Sequence, residues 1–154
     1  MKPFTFQAPP NILFEAGASK KLAGLVAGYG AKRVLLVTDK GVRNAGLTGN
    51  AEAGLVAGGC ELTVFDDVEA DPPSHIIERA VALCRVKDIE LVASIGGGSA
   101  LDTAKLVAYL AKTPDRLDDI YGVGLAKGER LPPDTAWEGS PAVAASAKGP
   151  CENG

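Results

Sequence analysis

The run Gly96-Gly97-Gly98-Ser99, with Asp102 and Lys105 behind it, carries the clearest chemical signal in this sequence. It follows the apolar stretch Leu91-Val92-Ala93-Ser94-Ile95 and leads directly into a helical pattern. The start of a helix leaves main-chain N–H groups unpaired and carries partial positive charge, so it attracts anions. Glycines there let a ligand approach the backbone where a Cβ would clash. The anion that suits such a turn is a phosphate, and in this strand–glycine–helix context the pyrophosphate of a dinucleotide. The same residues also have a purely structural use. Ser99 can cap a helix with Asp102 three positions on, a capping-box-like pair, and the glycines can simply make a tight turn. Asp102 is structural under either reading, because a carboxylate repels a phosphate. Lys105 either pairs with Asp102 on the helix surface or leans toward the ligand.

A second candidate is Asp39, directly after the apolar run Arg33–Thr38. A carboxylate at the end of a strand can accept hydrogen bonds from an adenosine ribose and repel a 2′-phosphate, which favours NAD over NADP. Its alternative role is to cap a turn or helix before Lys40-Gly41. The usual G-x-G-x-x-G fingerprint, with an acidic residue about 20 positions later, is absent. Here the acidic residue ends an early strand and the glycines follow a later one.

The elements that must position these residues read as an α/β fold. Arg33–Thr38, Glu61–Phe65 and Glu90–Ile95 are short, rich in Val, Leu and Ile, and lack clean alternation, as strands covered on both faces do. Helical patterns lie between and after them. Leu22, Leu25, Val26 and Tyr29 share one face; Leu47, Ala51, Gly54 and Leu55 share another; Ile77, Ala80, Val81 and Cys84 a third. After the glycines, Leu101, Ala104, Ala108 and Ala111 form a face of mostly small residues. Alternating strands and helices imply a Rossmann-like parallel sheet with flanking helices. Ligands gather beyond the carboxyl ends of such strands, where Thr38-Asp39 and the glycine turn both project. Phe4–Phe14 reads as an additional extended segment at the sheet edge. From Pro132 the chain is rich in Pro, Ala, Gly and Ser, with Trp137 and Val143 the only large apolar residues. Residues 132–154 are therefore expected to be a divergent, mostly disordered tail, since such a composition buries too little to offset its ordering entropy.

Composition narrows the functional classes. At 154 residues the chain accommodates one domain. A net charge of −3 and scattered basic residues, with Lys20-Lys21 and Lys32-Arg33 the only doublets, argue against nucleic-acid binding. No run of about 18 apolar residues offers a membrane span, and Met1-Lys2-Pro3-Phe4 lacks the apolar core of a secretory signal. Cys60, Cys84 and Cys151 are odd in number and widely spaced, so neither a disulfide framework nor a cysteine metal site is expected. Cys84 reads as a small core residue rather than a nucleophile. A reducing, cytoplasmic setting fits this usage.

These motifs resemble the iron-containing (group III) alcohol dehydrogenases. The resemblance is carried by Gly96-Gly97-Gly98-Ser99-x-x-Asp102-x-Ala104-Lys105. It is supported in order and spacing by Val37-Thr38-Asp39-Lys40-Gly41, Gly46-Leu47, Val64-Phe65-Asp66, Asp71-Pro72 and the opening Pro10-Asn11-Ile12-Leu13-Phe14-Glu15-Ala16-Gly17. It covers residues 3–131 and implies a nucleotide-binding domain like the amino-terminal domain of dehydroquinate synthases, with residues 1–131 as an NAD-binding unit. It further implies that Gly96, Gly97, Gly98 and Ser99 meet the cofactor pyrophosphate, that Asp39 sits at the adenosine ribose, and that Asp71 lies near the cofactor cleft, where the family often carries Asn.

The family also implies hydride transfer between a small alcohol or aldehyde and nicotinamide, assisted by a divalent metal, iron or zinc, held by one Asp and three His in a helical domain. No residues matching that domain occur here. The only histidine, His75, reads as a surface or capping residue at a helix entry. No catalytic or metal-binding residue is therefore assigned, and residues 1–154 alone are expected neither to oxidise alcohols nor to resist self-association. Two alternatives fit the same residues: a stand-alone nucleotide-binding module, and a frameshifted gene product whose composition changes near Leu131.

Overall fold

The computed structural model describes residues 17–112, Leu117 and the strand Ala142–Ala145. Its elements run α1 (Leu22–Gly28), β1 (Arg33–Val37), α2 (Lys40–Asn44), α3 (Gly49–Ala57), β2 (Glu61–Phe65), α4 (Ser74–Val86), β3 (Leu91–Ile95), α5 (Gly98–Lys112) and β4 (Ala142–Ala145). The three expected strands form within one residue of the sequence reading. Phe4–Phe14, expected to be extended, lies outside the described residues.

The sheet has the order β2-β1-β3-β4 and every pair is parallel. After β1 the chain steps to one side to make β2, then returns across β1 to make β3. The boundary between β1 and β3 is thus a topological switch point, where the loops leaving the two strands diverge and open a crevice. Side chains of β1 and β3 alternate into two cores. Leu35, Val37 and Val92 pack with α4 and α5 on one face, joined by Ile77, Ala80, Val81, Cys84, Ala104 and Ala108. Val34, Leu36, Leu91, Ala93 and Ile95 pack with α1 and α3 on the other, joined by Leu22, Val26, Ala51 and Leu55. Burial on both faces explains why these strands read as continuous apolar runs.

Hydrogen bonds at both ends of the strands fix the register. At the amino-terminal end Glu90 accepts from the main-chain N–H groups of Lys32 (2.7 Å) and Arg33 (2.9 Å), and from the Arg33 guanidinium (3.0 Å). At the carboxyl end the Thr38 amide donates to the Phe65 carbonyl at 2.9 Å, and its Oγ1 donates to the Ile95 carbonyl at 2.7 Å. Thr38 thereby ties together the ends of three strands, from which the site projects.

Two helix faces differ from the sequence expectation. In α1 only Leu22 and Val26 are buried, while Leu25 and Tyr29 are exposed. A helix of two turns meets its neighbours along a narrow i, i+4 stripe, too narrow for the four-residue face. Leu47 precedes α3 and is exposed, whereas Ala51 and Leu55 are buried. Within 132–154, Ala142–Ala145 forms β4 alongside β3, pairing Val92 with Ala142 and Ile95 with Ala145. An Ala-rich tetrapeptide has little strand propensity of its own. Main-chain hydrogen bonding to β3, invisible in composition, is what supports it. The rest of 132–154 lies outside the described residues.

Candidate functional site

At the end of β3 the chain turns at Gly96 and enters α5. The Leu101 amide donates to the Gly97 carbonyl at 3.1 Å, which makes Gly97 the residue flanking the first helical turn. Ser99 is therefore inside the helix and does not cap it, contrary to the structural alternative drawn from sequence. Asp102, likewise not a cap, is exposed and lies 3.4 Å from Lys105 Nζ in an i, i+3 pair. The first amides of α5 consequently lack the side-chain partner that a capping box would have provided. Among the described residues, no protein group accepts a hydrogen bond from the main-chain N–H of Gly97, Gly98 or Ser99. These groups converge at the positive end of a 15-residue helix.

The three glycines have different reasons to be glycine. A Cβ on buried Gly96 would stand 2.9 Å from the Ala100 Cβ and 3.4 Å from Asp39 Oδ2, so packing inside the protein forbids a side chain there. At Gly97 and Gly98 a Cβ would meet nothing within 4 Å. The protein's own packing does not require glycine at these two positions, but close approach of an external group would.

Asp39 faces this turn. One carboxylate oxygen, Oδ1, accepts from the Val42 amide at 2.8 Å and caps α2. The other, Oδ2, lies on the Gly96 side. Asp39 therefore caps α2, one of its two sequence readings, while its other carboxylate oxygen stands toward the glycine turn. A cleft of about 290 Å³ lies between them, lined by Asp39, Gly97, Gly98, Ser99, Ala100 and the segment Val68-Glu69-Ala70.

The structure brings Asp39, Gly97, Gly98 and Ser99 to one cleft, with Gly96 buried beneath its floor. Asp71 does not line the cleft but directly follows Ala70, which does; it is exposed, with φ 48°. Sequence reasoning missed Val68, Glu69 and Ala70. Their signal was topological, since the loop after β2 leaves the same edge of the sheet as the loops after β1 and β3.

Beside the cleft, Asp67 pairs through the main chain with Asp39 as an isolated bridge, and a network of charges extends from it. Lys40 binds Asp67 and lies 3.6 Å from Asp66. Arg43 reaches Asp66 at 2.8 Å and Glu52 at 3.1 Å, and Arg79 reaches Asp67 at 2.8 Å. The hydrogen bond from Arg43 lowers the Asp66 pKa, those from Lys40 and Arg79 lower that of Asp67, and the bond to Asp67 raises that of Lys40. Elsewhere, burial pushes the Cys84 thiol up to about 12, which makes it a core residue and a poor nucleophile. His75 is exposed in the first turn of α4. No group of three or more His, Cys, Asp or Glu among the described residues could hold a metal ion.

Amides at a helix start that have no partner among the described residues, open glycines and a facing carboxylate meet at the switch point of a parallel α/β sheet, where such folds take up ligands. Residues 9–137 match the family model described as iron-containing alcohol dehydrogenase, and this chain belongs to that family. It is 32% identical over 127 residues to alcohol dehydrogenase 4 of Saccharomyces cerevisiae (strain YJM789), an alignment covering 82% of this chain and 33% of the yeast protein. It is 28% identical over 127 residues to the NAD-dependent methanol dehydrogenase of Bacillus methanolicus, with the same coverage of 82% and 33%. Among solved structures, the alcohol dehydrogenase from Oenococcus oeni superposes with a TM-score of 0.80 at 25% identity, over 94% of this chain and 36% of that one. The chain spans about a third of the length of the curated relatives it matches.

Proposed function

We propose that this chain binds NAD in the cleft between β1 and β3 and serves as the nucleotide-binding part of an NAD-dependent alcohol dehydrogenase. The observation that carries this reading is the set of amides at Gly97, Gly98 and Ser99 that have no partner among the described residues, beside glycines with open space and across from Asp39. The pyrophosphate would lie on those amides, and the open space at Gly97 and Gly98 gives it room. Asp39 Oδ2 would accept from the adenosine ribose, and its charge would oppose a 2′-phosphate. Gly96 keeps α5 close enough to Asp39 for one dinucleotide to span both groups.

A dinucleotide held there would supply hydride chemistry, accepting a hydride from an alcohol carbon as the hydroxyl proton leaves, or the reverse with an aldehyde. The contribution of this chain is to hold the cofactor so that its nicotinamide is presented beyond the sheet edge. The divalent metal implied by the family, iron or zinc, finds no ligand set among the described residues. The name of the Bacillus methanolicus relative supports NAD as the cofactor and a small alcohol as the substrate class. The free thiols of Cys60 and Cys84 support a reducing compartment such as the cytoplasm. No helix among the described residues is long and apolar enough to cross a membrane.

Titration with NAD, followed by amide chemical shifts, tests the reading. Shifts are expected at Gly97, Gly98 and Ser99, and their absence at millimolar cofactor would refute it. Asp39→Asn sharpens the test, because Asn caps a helix about as well as Asp and the fold should be kept. The variant is expected to weaken NAD binding about tenfold through loss of a charge-assisted bond. It should bind NADP no more weakly than the parent chain does, so the preference for NAD narrows.

A further inference from the structure

The cation that follows Asp39 in sequence does not stand free at the cleft. Lys40 is the first residue of α2, and its ammonium is engaged by Asp67 and lies within 3.6 Å of Asp66. Arg43, one turn on, is engaged by Asp66 and Glu52. Asp67 is also the main-chain bridge partner of Asp39 and directly precedes Val68, the first residue of the cleft-lining loop. The Asp66-Asp67 pair therefore sits where it can draw the neighbouring positive charge off the cleft.

Stability does not account for this arrangement. The Lys40 side chain is 62% exposed, and ion pairs at that exposure contribute little because water screens them. Their effect on the local field is larger. Asp39, Asp66, Asp67 and Glu52 face Lys40, Arg43 and Arg79, so the cluster beside the ribose position is net negative. A dianionic 2′-phosphate entering there would meet Asp39 with no uncommitted cation from α2 to balance it.

We infer that Asp66 and Asp67 are specificity-determining residues that hold Lys40 away from the cleft and thereby reinforce discrimination against a 2′-phosphorylated dinucleotide. This rests on the dinucleotide reading and assigns part of the selectivity to residues outside the cleft lining. With both carboxylates made neutral, Lys40 is released on its four-carbon stem one residue from Asp39, where it can reach a 2′-phosphate.

The test is the affinity of the 154-residue chain for NAD and NADP, measured by calorimetry in the parent, in Asp66→Asn/Asp67→Asn, and in that double variant carrying Lys40→Gln. The double variant is expected to bind NADP about tenfold more tightly than the parent, the size of one new ion pair at a partly exposed site. Its NAD affinity should stay within about threefold of the parent value, since a factor of three is under 1 kcal/mol. Adding Lys40→Gln should abolish the NADP gain. A double variant that binds NAD but shows no gain for NADP overturns the inference alone, as does a gain that survives loss of Lys40. A parent chain that binds neither cofactor overturns the dinucleotide reading and this inference with it.

Discussion

Gly96 and Gly98, the first and last glycines of the turn, make opposite predictions, although the sequence presents them as one run. Gly98→Ala adds a methyl group in open space at the first helical residue. By reducing the freedom of the unfolded chain it should stabilise the fold by about 0.4–1 kcal/mol. The same methyl group would occupy the position proposed for the pyrophosphate, so NAD affinity should fall at least about tenfold. Gly96→Ala instead drives a Cβ to 2.9 Å from the Ala100 Cβ. Overpacking of that kind costs about 1–3 kcal/mol, and thermal unfolding should move down accordingly. Thermal melts and NAD titrations of the two variants check the pair. A Gly98→Ala chain with undiminished NAD affinity would show that the glycine has no ligand to accommodate. The sequence displayed the motif but not this division of labour. A run of three glycines leaves the first helical residue ambiguous, which is why Ser99 reads as a cap although it lies two positions past Gly97, the residue that holds the capping position.

At the scale of elements, the strands were the most legible part of the fold. β1 and β3 are covered on both faces, and β2 is short and bounded by Gly58-Gly59 and Asp66-Asp67. Helix faces were less legible because periodicity identifies apolar positions without saying how wide the contact is, as Leu25 and Tyr29 show. The clamp at the amino-terminal ends of the strands was not legible at all, since Glu90 and Lys32-Arg33 are 57 or more positions apart. Its contribution depends on pH. The main-chain N–H groups of Arg33 and Lys32 hold the Glu90 carboxyl below its ordinary value of 4.5. A carboxylate with a depressed folded-state pKa stabilises the fold above its unfolded pKa, and that contribution is lost as pH falls through the folded value. Glu90→Gln should therefore cost about 1 kcal/mol near neutral pH, at the low end for a charged acceptor because the side chain is 38% exposed. Parent and variant should converge in urea midpoint as the pH is taken well below the ordinary Glu value of 4.5. A difference that persists unchanged into acid would mean the charge of Glu90 contributes nothing to the clamp.

For the molecule as a whole, β2 is a flank of the sheet that among the described residues pairs only with β1. Next to it, a groove of about 470 Å³ runs between β2 and α4, lined by Val64, Phe65, Ala82, Leu83 and Val86 together with Asp66, Asp67 and Arg79. Val86, a large apolar side chain at the end of α4, is 81% exposed. An open strand edge with an apolar groove alongside is the combination that promotes pairing between copies. We expect the 154-residue chain to self-associate, with the weight-average sedimentation coefficient rising with concentration. Val86→Lys should suppress this association. A charge at the last residue of an exposed helix end complements the helix dipole, and surface changes of this kind alter stability by no more than about 0.5 kcal/mol. The variant should therefore sediment as a smaller species at matched concentration while melting at nearly the same temperature. A parent chain that sediments as a single monomer across the whole range would show that β2 and its groove are already sufficiently protected, and Val86→Lys would then have no association to relieve.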